Sequence, residues 1–250
     1  MPRYFNKFPT LAYTKQGVTT IVTNLLARID VVRNALDNVS LFYEYNIQEG
    51  DTPEIIASKY YNDPELHWIV LIFNNIIDPF YDWPMTYNQF QKFITSKYDS
   101  VEKSKITHHH YEKIIKKTDN GSGTTTTDKF ILPLTVPFIN KGNVANVESL
   151  PTSNNETGDG YVTLDAGDLY VWDGFDWTLQ PSFKDYNEIV PSTETLSFTT
   201  GGSVSISLSK RDVDCYTYED ELNESKRVIK LIKAELAPEI VKQFETLMRK

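Results

Sequence analysis

Three features of this 250-residue sequence point to an α+β chain. A short strand candidate near residue 43 runs into two Pro-initiated helix starts in close succession. Apolar residues recur at helical spacing at both ends of the chain. A central stretch carries runs of β-favouring residues divided by Asp/Gly turns. The expected architecture is a strand-helix-helix unit with flanking amphipathic helices and an inserted small antiparallel β region. An arm and helix would occupy 1–42, the strand-helix-helix domain 43–98, a β-rich region with its insertion at about 144–180 would fill 99–215, and helices would close the chain over 216–250.

In TTIVTNLLARIDVVRNALDNV, the residues Val22, Leu25, Leu26, Ile29, Val32 and Leu36 recur every three or four positions, the stripe of an amphipathic helix. Tyr43 to Ile47 reads as a strand and Gly50-Asp51 as a turn. Pro53 stands at a first helical position behind a Thr52 or Asp51 cap, where its missing N–H costs nothing. Asp63-Pro64 repeats the start signal, and Leu66, Ile69, Val70 and Phe73 fall on one face of a second helix that ends before Asp78-Pro79. Thr86 and Gln89 form a capping box ahead of a third helix, with Phe90, Phe93 and Ile94 on its buried side.

KITHHHYEKIIKK reads as a strand and DNGSGTTTTD as a flexible polar loop, the best internal breakpoint. From Val144 to Leu179, strand candidates YVTL, LYVW and WTL alternate with DAGD and DGFD turns, so that Tyr170 and Trp172 face one way and Leu169 and Val171 the other. This stretch is expected to be a removable meander whose deletion leaves the rest folded. In TLSFTTGGSVSISLS, a three-residue loop at Gly201 to Ser203 would pair Leu196 with Leu208 and Phe198 with Ile206, apolar with apolar. At the end of the chain, Leu222, Ile229, Ile232 and Leu236 mark one helical stripe, after which Pro238 restarts a shorter helix with Ile240, Phe244 and Leu247 on its apolar side.

Composition narrows the function. Hydrophobic residues make up 40% of the chain, ordinary for a globular core, and 25 Lys/Arg against 34 Asp/Glu give a net charge of -9, the wrong sign for a broad nucleic-acid footprint. Residues 226–250 carry seven Lys/Arg against three Asp/Glu, a basic tail suited to an acidic surface. No apolar run reaches the roughly 18 residues of a membrane span, and MPRYFNKFPT lacks a secretory signal, so an intracellular site of synthesis is expected. The single cysteine, Cys215, lacks a nucleophile signature, and no carboxylate pair stands out, so no catalytic residue and no enzyme is expected. His108 and His110 on a strand would share a face with Glu112, but two imidazoles make a poor metal site, and no metal or cofactor is expected.

At YNIQEGDTPEIIASKYYNDPELHW the sequence resembles the LysM module, through Tyr45, Gly50-Asp51-Thr52 and Ile56-Ala57. HWIVLIFNNIIDPFYDW departs from the usual continuation. The longer pattern, with an amino-terminal helix ahead of it and the distant YEDELNESKRVIKLIKAELAPEIVKQFETLMRK behind it, resembles the LysM-like baseplate wedge protein of T-even-type contractile-tailed bacteriophages. That resemblance implies a LysM-like β-helix-helix unit and a structural role in the virion's tail baseplate. Its partners would be other wedge, hub and sheath-initiator proteins, with no nucleic acid, membrane or carbohydrate among them. The residues expected to meet partners are Gly50, Asp51, Thr52, Asp78, Pro79, Tyr81, Trp83, Leu222, Ile229, Ile232 and Phe244. The alternative is a peptidoglycan-binding LysM module of a lytic or targeting system, in which the Gly50-Asp51-Thr52 turn cradles a glycan and Tyr81 or Trp83 stacks on its rings.

Overall fold

A computed structural model describes residues 8–24, 39–199 and 201–248. The chain forms two compact units, Met1–Gln89 with Asn223–Lys250, and Phe90–Leu222.

In the first unit, β1 (Thr10–Lys15) and β2 (Val18–Thr23) pair as an exposed hairpin. Val22 therefore lies on a strand, not on the expected helix, because β-branched and Thr residues dominate VTTIVT. The rest of that expected stripe, Leu25 to Leu36, falls outside the described residues. The core of the unit begins at β3 (Phe42–Asn46), continues through α1 (Pro53–Tyr61) and α2 (His67–Phe73), and closes 155 residues further on with β11 (Val228–Ile232). β3 and β11 pair antiparallel, Tyr45 opposite Ile229 and Phe42 opposite Ile232. Helix starts follow the sequence: Thr52 caps α1 by accepting from Ile55 N–H, with Pro53 at its first position, and Asp63 caps the 3-10 turn that leads into α2.

The Asn74 amide at the end of α2 ties that helix to the closing strand. Its Nδ2 donates to the carbonyls of Val70 and Lys230, and its Oδ1 accepts from Lys230 N–H, all at 2.8 Å. Ile56, Ala57, Ile69, Val70 and Leu231 are almost wholly excluded from water, and each large side chain so buried contributes about 1.5–3 kcal/mol of transfer free energy. A terminal helix, α7 (Ala237–Met248), packs Phe244 against Trp68 at 4.7 Å between ring centres.

The expected continuous helix through Leu222, Ile229 and Ile232 is therefore overturned. The helix α6 (Cys215–Ser225) stops, and Val228–Ile232 becomes a strand with Ile229, Leu231 and Ile232 buried. A three-residue spacing of isoleucines suits either state locally. The strand that selects β for this segment is β3, far away in sequence.

The second unit is built on a sheet of seven strands in the order β8-β7-β6-β5-β4-β10-β9. Its strands are β4 (His108–Asp119), β5 (Thr125–Val144), β6 (Asp159–Thr163), β7 (Leu169–Trp172), β8 (Trp177–Leu179), β9 (Ser192–Ser197) and β10 (Ser203–Asp214). Half of the polar stretch expected to be a loop is strand. Only the turn at about 120–124 interrupts it, and the threonines from Thr125 pair with β4 and supply β propensity without apolar surface.

The strands of 144–180 form as expected, with Leu169 and Val171 wholly buried, but they do not stand apart as a separate meander. β5 pairs with β4 through its first part and, in parallel, with β6 through its last, so the stretch extends the main sheet. Leu169 and Val171 share one cluster with Tyr111 and Phe138, and α5 (Pro181–Glu188), unforeseen in the sequence, lays Phe183 and Tyr186 against it. The β9–β10 register is also different: Leu196 faces Val204 and Leu208 faces Ser192, four positions from the expected pairing. An even shift keeps each residue on its expected face, which is the property alternation specifies; where the turn falls is set locally by Gly201 and Gly202, both at positive φ. Two further helices, α3 (Tyr87–Tyr98) with Phe90 and Ile94 buried and α4 (Val101–Ile106), precede the sheet in sequence.

Gly160 has a steric role. A Cβ there would sit 2.4 Å from Cδ2 of the buried Phe138 ring. Gly160→Ala is expected to cost about 1–3 kcal/mol by overpacking, checked by urea denaturation; an unchanged midpoint would show that the ring moves freely.

Candidate functional site

Two surfaces of the first unit gather most of the residues singled out above. The first is the turn before α1. Gly50 holds a positive φ of 83°, open to glycine without strain. The Asp51 carboxylate turns inward and accepts from Tyr45 Oη at 2.7 Å, Gln48 N at 3.1 Å and Lys59 Nζ at 2.6 Å. Trp83, buried, donates its Nε1–H to the Asp51 carbonyl at 2.9 Å. Burial alone would raise the Asp51 pKa, but Lys59, Tyr45 and the Gln48 N–H together outweigh it and hold the carboxyl below its ordinary value. The hydrogen bond to Asp51, with burial and the carboxylate charge, pushes the Tyr45 phenol up to about 12.

The cavity bordered by this turn, Trp83, Met85 and Arg227 measures about 130 Å³, well under the roughly 300–1,000 Å³ of small-molecule pockets. Its polar groups are engaged within the chain: Glu49 accepts from Tyr87 N–H at 2.8 Å, and Arg227 Nε pairs with Glu224 at 2.6 Å. The turn's polar groups are thus bound within the unit.

The second surface is the loop Ile77-Asp78-Pro79-Phe80-Tyr81. Pro79, Phe80 and Tyr81 are exposed, with Ile77 83%, Phe80 90% and Tyr81 76% accessible, yet the backbone is tightly held. Asp82 Oδ2 accepts from the N–H groups of Ile77 at 3.1 Å and Asp78 at 3.0 Å, and Asp78 Oδ1 accepts from Phe80 N–H at 2.9 Å. The Asp78 carbonyl takes the N–H groups of Tyr81 and Asp82, and Lys226 Nζ donates to the Tyr81 carbonyl at 2.6 Å. The backbone N–H groups of Asp78 and Ile77 draw the Asp82 carboxyl below its ordinary pKa, so it is charged at neutral pH.

The remaining candidates are placed differently. Ile229, Ile232 and Phe244 lie within the core of the first unit, so their side chains are already covered by this chain. Leu222, in the second unit, is 46% exposed on α6. Sequence reasoning named Asp78, Pro79 and Tyr81 but missed Ile77 and Phe80, the most exposed of the group. The legible signal was the Asp78 to Asp82 spacing around a Pro, which marks a side-chain-stabilised turn whose apolar residues have no helix to bury them.

The three histidines diverge. The His108 ring stacks on Phe138 with Nδ1 2.7 Å from Asp212, His109 stacks on Tyr218, and His110 Nε2 lies 3.6 Å from Glu112. A bulge between His108 and His110 breaks the common face expected of them. Among the described residues, no group of three or more His, Cys, Asp or Glu could hold a metal ion. Cys215 is buried, and burial first of all pushes its thiol up to about 11, away from the thiolate a nucleophile needs.

Residues 4–120 match the family model described as base plate wedge protein 53. Over 65 residues the chain is 31% identical to "Baseplate wedge protein gp53" of Enterobacteria phage T4, a match that covers 26% of this chain and 33% of that relative. The chain therefore aligns with about a third of the length of the curated relative it matches. Both matches are to proteins described as baseplate wedge proteins, and each covers less than half of this chain.

Proposed function

We propose that this chain is a non-enzymatic structural subunit of a phage tail baseplate, clamping neighbouring wedges and linking them to the central hub and sheath-initiating proteins. It would be assembled in the host cytoplasm and carried in the virion. The observation that carries the reading is the family match over residues 4–120, which spans β3, both helices and the two surfaces just described. The order strand, helix, helix, strand, closed by Val228–Ile232, supports a LysM-like unit whose second strand is supplied from the far end of the chain. The turn that would grip sugar in such a module is here saturated by Tyr45, Lys59 and Trp83, which favours an inherited scaffold over the peptidoglycan-binding alternative.

Clamping needs several modest contacts on one chain, each strengthened by the effective concentration the others create. The exposed hairpin and the loop at 77–81 offer two such contacts. Purified chain is expected to join preassembled wedges and to be required for their closure into a ring. Rings that close normally without it, seen by electron microscopy, would remove this role. Saturable binding to purified peptidoglycan, lost on changing Trp83 or Asp51, would reinstate the sugar reading.

A further inference from the structure

We infer that the loop Ile77 to Tyr81 is a preformed anchor that seats in an apolar pocket, rimmed by Lys or Arg, on another protein of the same assembly. The inference rests on the baseplate reading and specifies how one contact is made. Three observations carry it.

The first is exposure of the side chains over a hydrogen-bonded backbone. Phe80 and Ile77 are among the most accessible large apolar side chains of the described residues, yet every backbone turn beneath them is fixed by Asp78, Asp82 or Lys226. A partner receiving this loop need not order its backbone, so that part of the entropic cost of binding is already met within the chain. The second is the shape and kind of side chain. A convex tip of one phenyl, one phenol and one branched aliphatic group matches the aromatic anchors that dominate interface energetics when they fill a concave pocket.

The third is charge. The base of the loop carries two carboxylates, Asp78 and Asp82, against the single ammonium of Lys226 in contact with it. Beside it lies a concavity of about 320 Å³ whose charged lining is the Asp82 carboxylate and the Lys226 ammonium. The same acidic base disfavours an anionic bilayer, which would otherwise suit an exposed Phe-Tyr tip.

The test uses phage particles that carry the full chain. Phe80→Ala should leave the melting temperature of the purified chain unchanged, because the side chain is 90% exposed, and should lower its incorporation into particles by about tenfold or more, as loss of a hot spot does. Phe80→Leu should restore part of it. In a second arm, p-benzoylphenylalanine in place of Phe80 is photolysed in intact particles and the product mapped by mass spectrometry. The expected product joins position 80 to one virion protein, at a segment of apolar residues flanked by Lys or Arg.

Normal incorporation of Phe80→Ala, or cross-links scattered over several proteins, would overturn the pocket while leaving the baseplate reading intact. Absence of the wild-type chain from purified particles would sink both. Phe80-dependent binding to vesicles of phosphatidylcholine and phosphatidylglycerol would assign the loop to lipid and overturn the inference as well.

Discussion

Removal of residues 144–180 is expected to abolish cooperative folding of the second unit. The deletion takes away β6, β7 and β8, and with them Leu169 and Val171, half of the four fully buried residues in the cluster around Tyr111 and Phe138. The last part of β5 loses its parallel partner, and Gln180, whose Oε1 accepts from Thr135 N–H at 2.8 Å, goes too. Phe138 and Tyr111 would then face water. The milder substitution Leu169→Ala should cost about 2–5 kcal/mol, the range for a buried leucine whose site cannot collapse. A domain stable by about 5–15 kcal/mol survives that loss with a lower urea midpoint, whereas the deletion exceeds it. Near-UV circular dichroism and urea titration of both variants check this. A deletion variant that melts cooperatively at the wild-type midpoint would show that the rest of the unit folds without the stretch.

Why the sequence suggested the opposite is instructive. The strands YVTL, LYVW and WTL were legible, as was the division of Leu169 and Val171 from Tyr170 and Trp172 onto opposite faces, because alternation and Asp/Gly turns are local signals. What was not legible is the partner. The parallel pairing of Ile139 with Asp159 and of Val144 with Thr163 leaves no mark within either strand, so a sheet extension looked like an independent meander.

The same holds at the end of the chain, where RVIKLI was read as helix: β3, about 185 residues earlier, selects the strand state, and no window of local sequence contains both. Helix starts fared better, since Thr52, Pro53, Asp63 and the Thr86–Gln89 box act within four residues of themselves. At the candidate site, the turn was legible as a turn, but the inward direction of Asp51 was not. The loop at 77–81 was visible through Asp78, Pro79 and Tyr81, while the prominence of Phe80 and Ile77 depends on where α2 ends.

Asp51→Ala should destabilise the first unit by about 2–4 kcal/mol, since it strands the Tyr45 hydroxyl and the Gln48 N–H and leaves Lys59 without its partner. Asp51→Asn, which keeps an acceptor but not the charge, should fall between that variant and wild type. The pH dependence has a definite sign. The folded Asp51 pKa lies below its ordinary value, so its contribution is present above the ordinary carboxylate range and is lost as pH falls through the folded value. Tyr45 is the mirror case, because its folded pKa is raised to about 12. Its contribution is complete below the ordinary phenol value and disappears as pH rises toward 12. Wild type should therefore lose stability at both extremes, whereas Asp51→Ala, having no carboxylate to protonate and no acceptor for the phenol, should show a flatter profile at each end. Melting temperature across the acid and alkaline limbs decides it: parallel profiles for the two proteins would mean that Tyr45 and Lys59 reach water as readily as they reach Asp51, and that the turn is held by Trp83 and the α1 cap instead.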